Sequence, residues 1–154
     1  MLPRTYDNQE CSLARTLEVI GDRWTLLVIR DAFLGVHRFE DLQKDLGVAR
    51  NVLTDRLNRL VEEGILRRRR YQERPERYEY RLTRKGVDLW PIIMTTMKWG
   101  DRYLYAEGKP RLILHKGCGG EIDERLHCSS CGAELGPTDV YVEPGPGASK
   151  AEAA

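Results

Sequence analysis

The sequence predicts a mainly α-helical chain with one small β-hairpin, an α+β class, followed by a second, smaller β module. Three observations carry this. Two short helical periodicities lie either side of Gly47, two β-rich segments then flank a polar turn that contains Pro75, and a later stretch gathers His and Cys with Gly into two short knuckles. The first two observations together describe a winged helix-turn-helix; the third describes a zinc-ribbon-like module.

The elements follow in chain order. Ser12 is placed to cap a helix running through Ile20, with Gly21 closing it, and Asp22 to cap the next. That second helix should bury some of Trp24, Leu27, Val28, Ala32 and Phe33 as core. Phe39, Leu42 and Leu46 then lie about one helical turn apart and form an apolar stripe. Gly47 is placed to stop that helix with the positive φ that Gly adopts without a Cβ clash. The following helix carries Leu53, Leu57, Leu60 and Val61 on one face and Arg50, Asn51, Thr54, Asp55 and Asn58 on the other. Two helices joined by a three- or four-residue turn, the second polar at its N-terminal end, form the arrangement that sets a helix into the major groove of DNA. Ala49 offers no capping side chain at the start of this helix, which spans about 49–63.

The wing comes next. Ile65 to Tyr71 and Arg77 to Leu82 read as strands, and the turn from Gln72 to Glu76 must lie in solvent because Pro and charge cannot continue a ladder. Residues 50–85 hold 12 Lys/Arg against 6 Asp/Glu, a net +6 in a chain whose total is +1. Positive charge is thus gathered where phosphates would be met. Arg50, Asn51, Thr54 and Asn58 are the candidates for bases or phosphates, and Arg74 and Arg77, on a wing of about 72–77, for the backbone or the minor groove. Thr83 should cap a last helix, which Pro91 interrupts and kinks. Ile93, Met94, Met97, Tyr103 and Leu104 continue its apolar pattern where little core remains for it to cover, so a second copy of the chain is its expected partner.

Residues 1–105 make the winged-helix and dimerisation domain, 106–142 the Gly- and Cys-rich ribbon, and 143–154 a Pro-, Gly- and Ala-rich tail expected to be disordered. No apolar run is long enough for a membrane span and the first residues lack the apolar centre of a signal peptide, so a cytoplasmic protein is expected. No phosphate-binding Gly loop or nucleophile set is present, and an enzyme is not expected. The function these patterns favour is a sequence-specific regulator of transcription on double-stranded DNA. The competing class is a winged-helix and zinc-ribbon module that binds other proteins of the transcription machinery.

Several segments carry a family resemblance. Cys11 to Trp24, CSLARTLEVIGDRW, resembles the opening of the HxlR-type transcription regulators, relatives of the MarR winged-helix proteins. Arg38-Phe39, Leu53 to Leu57, Glu63-Gly64 and Tyr80 to Thr83 fit the same pattern, and together they cover residues 11 to about 104. The resemblance implies a homodimer built by the terminal helices and control of nearby genes, with a small-molecule or redox effector left open. Some members of the family sense electrophiles or oxidants through a cysteine at the place of Cys11. A helix N-terminus there would favour the thiolate, with Arg15 one turn on; a small residue packed at a dimer contact is the plainer reading.

The ribbon carries His115-Lys116-Gly117-Cys118-Gly119 and, with nine residues between Cys118 and Cys128, Cys128-Ser129-Ser130-Cys131-Gly132. Two knuckles with two ligands each suit one structural zinc held by His115, Cys118, Cys128 and Cys131, with His127 as the rival for His115. A metal-free loop and a Cys128–Cys131 redox pair are the other readings. Ile113 and Leu126 are expected to lie on the ribbon strands.

Overall fold

In the computed structural model residues 5–148 are described. The chain forms two compact units, Met1–Asp88 and Leu89–Ala154. The division places the helix after Pro91 with the ribbon, not with the winged helix.

The first unit contains α1 (Ser12–Ile20), α2 (Thr25–Phe33), α3 (Phe39–Leu46), α4 (Arg50–Glu62), β1 (Leu66–Glu73), β2 (Glu76–Leu82) and the single turn α5 (Arg84–Val87). Its core is assembled from one face of each helix. Val28 and Ile29 of α2, Leu42 of α3, and Leu53, Leu57 and Leu60 of α4 are buried, with Val48, Ile65 and Leu66 between them. Phe39, Leu46 and Val61, expected beside them, are half-buried at the edges of the same stripes, as are Trp24, Leu27 and Phe33. Truncating a fully buried leucine such as Leu57 would cost about 2–5 kcal/mol.

The caps decide where the helices start. Cys11, not Ser12, occupies the N-cap of α1, and it makes no side-chain cap bond. Trp24, not Asp22, occupies the N-cap of α2, but Asp22 holds the turn that leads into it: its Oδ1 accepts from the N–H groups of Trp24 (3.1 Å) and Thr25 (3.2 Å). Its Oδ2 takes the Thr25 hydroxyl at 2.6 Å and the Arg56 guanidinium at 2.6 Å. Burial works against this carboxylate, but the Thr25, Trp24 and Arg56 partners outweigh it and hold its pKa below the usual value. The same side chain thus holds the turn into α2 and ties α4 to it. Gly47 sits at φ 60° and closes α3, leaving Gly47-Val48-Ala49 as the turn before α4.

The hairpin pairs Leu66 with Leu82 and runs out to Glu73 opposite Glu76, with a bulge between Arg70 and Gln72. The expected five-residue turn is therefore shorter. Gln72 faces Arg77 in the ladder, and only Arg74 and Pro75 form the tip, where the missing N–H of proline costs no ladder bond. The backbone at Arg38 bridges to Glu79, and the Tyr80 N–H donates to the His37 carbonyl at 2.8 Å, so the chain ahead of α3 lies along the free edge of β2. Thr83 caps α5 as expected, accepting from the Gly86 N–H.

The second unit holds α6 (Trp90–Tyr103), β3 (Arg111–His115) and β4 (Val140–Pro144). Pro91 does not kink a continuous helix. The helical turn stops at Val87, and α6 begins afresh with Pro91 in its first turn, where no N–H is required of it. The expectation that Ile93 and Met94 await a partner is also corrected: they are buried within the chain, at 5% and 7% exposure, and Met97 is half-buried. The apolar side chains of this segment left in solvent include Ile92, Trp99 and Tyr103, which fall on the other side of the helical period, and Leu104 at the helix's C-cap.

β3 pairs antiparallel with β4, Arg111 opposite Pro144 and His115 opposite Val140. The tail expected to be disordered from residue 143 is therefore ordered at its start: Glu143 and Pro144 are in the strand, and the Gly145 N–H donates to the Pro110 carbonyl at 2.8 Å. Residues 149–154 of that tail lie outside the described residues. Ile113 lies on β3 and is buried, whereas Leu126 is no strand residue. It takes φ 65°, because Asp123 gathers the N–H groups of Arg125 and His127 and folds the chain tightly there. Among the described residues no helix is long and apolar enough to cross a membrane.

Asp31, on α2, is fully buried and its Oδ2 makes no hydrogen bond. Burial pushes its carboxyl up to about 6, against the pull of Arg30, whose guanidinium lies 2.7 Å from Oδ1, and with a push from Asp45. The folded value lies above the ordinary 3.8, so the stability this proton brings is full below pH 3.8 and is lost as pH rises through about 6. Asp31→Asn should flatten that fall and raise the melting temperature near pH 7.5. Parallel melting curves from pH 4 to 8 check it, and the same pH dependence in both proteins would refute it.

Candidate nucleic-acid interface and metal centre

With Leu53, Leu57 and Leu60 turned inward, the other face of α4 has to point out. Arg50, Asn51, Thr54, Asp55 and Asn58 are all exposed. The Arg50 guanidinium lies 4.6 Å from the centre of the Phe39 ring, which limits its freedom while leaving its donors to solvent. The Thr54 hydroxyl is turned back to the Arg50 carbonyl at 2.8 Å, so its proton is already committed. Two other arginines of α4 have structural employment: Arg56 is held by Asp22, and Arg59 donates to the Glu18 carbonyl. Ala49 provides no cap bond, so the first N–H groups of α4 have no side-chain acceptor there.

Arg74 and Arg77 are exposed at and beside the hairpin tip. The net +6 of residues 50–85 includes the wing's stem, whose arginines lie outside the tip pair Arg74 and Arg77. Arg67, Arg68, Arg69 and Arg70 are consecutive in β1 and all exposed, so they alternate between the two faces of the hairpin. Arg68 stacks on Tyr78 at 4.0 Å, and Arg70 meets Glu76 at 3.0 Å. Arg38 stacks on Tyr71 at 4.5 Å, at the bulge between Arg70 and Gln72. The unbroken Arg run was the signal for these residues.

Cys11 is exposed at the N-terminus of α1. Arg15, expected to assist it, instead pairs with Glu18 at 3.0 Å.

In the ribbon, His115, Cys118, Cys128 and Cys131 converge, with their donor atoms within 4.8 Å of one another. The Cys118 sulfur lies 3.4 Å from His115 Nδ1 and 3.4 Å from the Cys128 sulfur, and the Cys131 sulfur lies 3.4 Å from His115 Nδ1. A tetrahedral zinc with bonds of about 2.3 Å to sulfur and 2.0–2.1 Å to nitrogen needs donor separations of roughly 3.5–3.8 Å. The three separations of 3.4 Å lie close to that range, so the cluster could hold a metal ion. His127 is turned elsewhere, its Nδ1 lying 2.8 Å from the Arg125 carbonyl.

The backbone builds both knuckles alike. The Gly119 N–H donates to the His115 carbonyl (2.8 Å) and the Gly132 N–H to the Cys128 carbonyl (2.9 Å), each glycine at positive φ. A side chain at Gly120 would place its Cβ 2.5 Å from the Cys128 sulfur. The sulfurs feel each other. The Cys131 N–H, helped by that of Ser130, draws the Cys128 thiol down to about 6 despite partial desolvation. For Cys118 the Gly120 N–H pulls downward, but the adjacent Cys128 and Cys131 sulfurs and burial outweigh it, and its pKa rises. Thiolates crowded in this way repel one another unless a cation lies between them.

The HxlR-like helix-turn-helix family model matches residues 19–108. An HTH-type transcriptional regulator of Mycobacterium tuberculosis H37Rv is 49% identical over 137 residues, covering 88% of this chain and 87% of that protein. That coverage leaves too few residues unmatched to miss the ribbon. An HTH-type transcriptional regulator of Synechocystis is 34% identical over 98 residues, 63% of this chain and 73% of its own length. Among solved structures, PA1607, a protein assigned as a transcription factor, superposes with a TM-score of 0.70 at 37% identity, over 90% of this chain and 97% of that one. The redox regulator HypR in its reduced form gives a TM-score of 0.57 at 30% identity, over 60% of this chain and 92% of its own.

The donor geometry separates the two histidines. Titration of the metal-free chain with Co²⁺ should give thiolate-to-metal absorption in the wild type and an unchanged spectrum in His127→Ala. His115→Ala should shift the bands and weaken binding. The opposite ranking would transfer the fourth donor to His127.

Proposed function

The chain belongs to the HxlR-like helix-turn-helix family and is a DNA-binding transcription regulator, and from that premise we propose that it reads its operator as a homodimer. The observation that carries this reading is the face of α4 opposite its buried leucines. Arg50 and Asn51 stand exposed at the helix start, and Asn58 lies two turns on, as a helix inserted in the major groove requires. Arg donors suit guanine and Asn suits adenine. The arginines of the wing, Arg74 and Arg77 among them, then meet phosphates or the adjoining minor groove and set the register without reading sequence.

A second copy docks through apolar side chains that the chain leaves in solvent. Leu13 and Leu17 on α1 and Ile92, Trp99 and Tyr103 on α6 are the candidates, with Trp99 at 58% and Tyr103 at 64% exposure. Two-fold pairing would set two α4 helices on two half-sites. The protein carries no catalytic role in this reading and works in the cytoplasm with the chromosome.

The ribbon holds one structural zinc through His115, Cys118, Cys128 and Cys131. With four protein ligands the ion has no open position, and it supplies cross-links that the small apolar core of this segment does not. Cys11 is the point where an oxidant or electrophile would act on the winged helix. Its exposure and its place at the start of α1 support that role, as does the likeness to a redox regulator.

A gel-shift series with duplex DNA from upstream of the chain's own gene tests the α4 assignment. Arg50→Ala and Asn51→Ala should each weaken specific binding by about 1–3 kcal/mol, roughly five- to 150-fold, with the fold intact. Unchanged operator affinity in both variants would remove this face of α4 from the interface.

The wing is read out by salt. Replacing Arg74 and Arg77 together by Ala should weaken specific and non-specific duplex alike, and reduce the slope of log K against log salt by about 1.8 for two lost phosphate contacts. An unaltered slope excludes these two side chains.

A further inference from the structure

The segment between the two metal knuckles is stitched to both of them. The His115 N–H donates to the Gly120 carbonyl at 2.8 Å, and the Ile122 N–H to the Ile113 carbonyl at 3.0 Å. On the other side the Ser129 N–H donates to the Glu121 carbonyl at 2.8 Å, the Asp123 N–H to the His127 carbonyl at 2.8 Å, and Ile122 bridges to Cys128. Glu121 and Glu124 therefore stand on a short length of chain whose shape is set by the backbone around the four metal donors. Their side chains do not face only solvent. Glu121 Oε1 lies 3.0 Å from Lys98 Nζ, with the Lys98 side chain only 12% exposed, and it also takes Lys109. Glu124 pairs with Arg102. Lys98 and Arg102 are one turn apart on α6, so the ribbon grips that helix at two successive points on one face.

The grip falls where α6 is least held by apolar packing. Its buried side chains, Trp90, Ile93 and Met94, all lie in its first half. Its last turns carry Trp99 and Tyr103, exposed and with ring centres 5.4 Å apart, followed by exposed Leu104 and Tyr105. In the half of the helix that presents these aromatic side chains no side chain is fully buried, Met97 being half-buried, and the two ion pairs to the ribbon add lateral support.

We infer that metal occupancy of the His115, Cys118, Cys128 and Cys131 site braces the C-terminal half of α6 through Glu121 and Glu124, making the order of this helix end, and of the apolar surface on it, dependent on metal supply. The inference rests on the reading of those four residues as a metal site. With the site filled, residues 120–124 are fixed and the two carboxylates stand opposite Lys98 and Arg102. With the site empty, nothing ties the four donors to one another, the knuckles loosen, and the carboxylates lose their fixed positions. A solvated ion pair is worth little when its partners are free to move; it stabilises here to the extent that one partner is already held in place.

Amide hydrogen exchange on the full-length chain tests this, with metal content measured on the same samples. Zinc-loaded protein should protect the amides of residues 96–104, and stripping with a chelator should speed their exchange by on the order of tenfold or more, while amides of α2 to α4 stay unchanged as an internal control. The double variant Glu121→Gln with Glu124→Gln should keep one zinc per chain yet show fast exchange at 96–104 even when loaded. Equal exchange of α6 in loaded and stripped wild type, with zinc bound in the former, overturns the brace and leaves the metal site standing. Slow exchange in the loaded double variant overturns it as well. A chain that takes up no zinc overturns the site reading, and the brace with it.

Discussion

The spacing of three leucines on α4 is the constraint from which most of the first unit follows. Leu53, Leu57 and Leu60 are each essentially without solvent contact, and a helix with one face so committed has no rotational freedom left. Whatever lies opposite is displayed. The carboxylate of Asp22 adds the second restraint. It holds the turn into α2 and grips Arg56 of α4, so the helix that carries the displayed face is fixed in rotation by packing and tied to its neighbour by a charged bond. Losing that carboxylate would free the turn before α2 and the tie to Arg56 of α4 at once, and its cost should exceed that of a simple cap, about 1 kcal/mol.

The second unit solves a different problem. Between β3 and β4 it has few large apolar side chains to bury, chiefly Ile113, Ile122 and Leu135. Cross-links have to stand in for a core, and the two knuckles are shaped for that purpose by glycines at positive φ and by backbone N–H groups aimed at sulfur. The glutamates between the knuckles then give the module a hold on α6.

How much of this was legible in the sequence depended on the range of the interactions. Local signals were strong. The period of the leucines, the stop at Gly47, the cap at Thr83 and the paired Cys spacings each specify geometry within a few residues, and each is found in the structure. Signals that depend on distant partners were not available. Nothing near Val140 announces that residues 140–144 will pair with 111–115 across the whole ribbon, and a Pro- and Gly-rich composition pointed away from order at Glu143. Pro91 fits either a kink or a fresh start; the break at Asp88-Leu89 decides between them. The burial of Ile93 and Met94 was missed because an apolar helix face does not say whether its cover comes from the same chain. The choice of His115 over His127 was open in the residues. The structure places Nδ1 of His115 against two sulfurs, while His127 faces a carbonyl.

The four consecutive arginines of β1 have one more consequence. A strand that carried its cations at alternate positions would be charged on one side only, and could follow a single row of phosphates. In β1 the run of Arg67 to Arg70 is unbroken, so both sides of the hairpin are cationic. A blade charged on both sides can meet phosphates on each wall of a cleft between two phosphate rows at once, so neither face has to be turned away from the backbone.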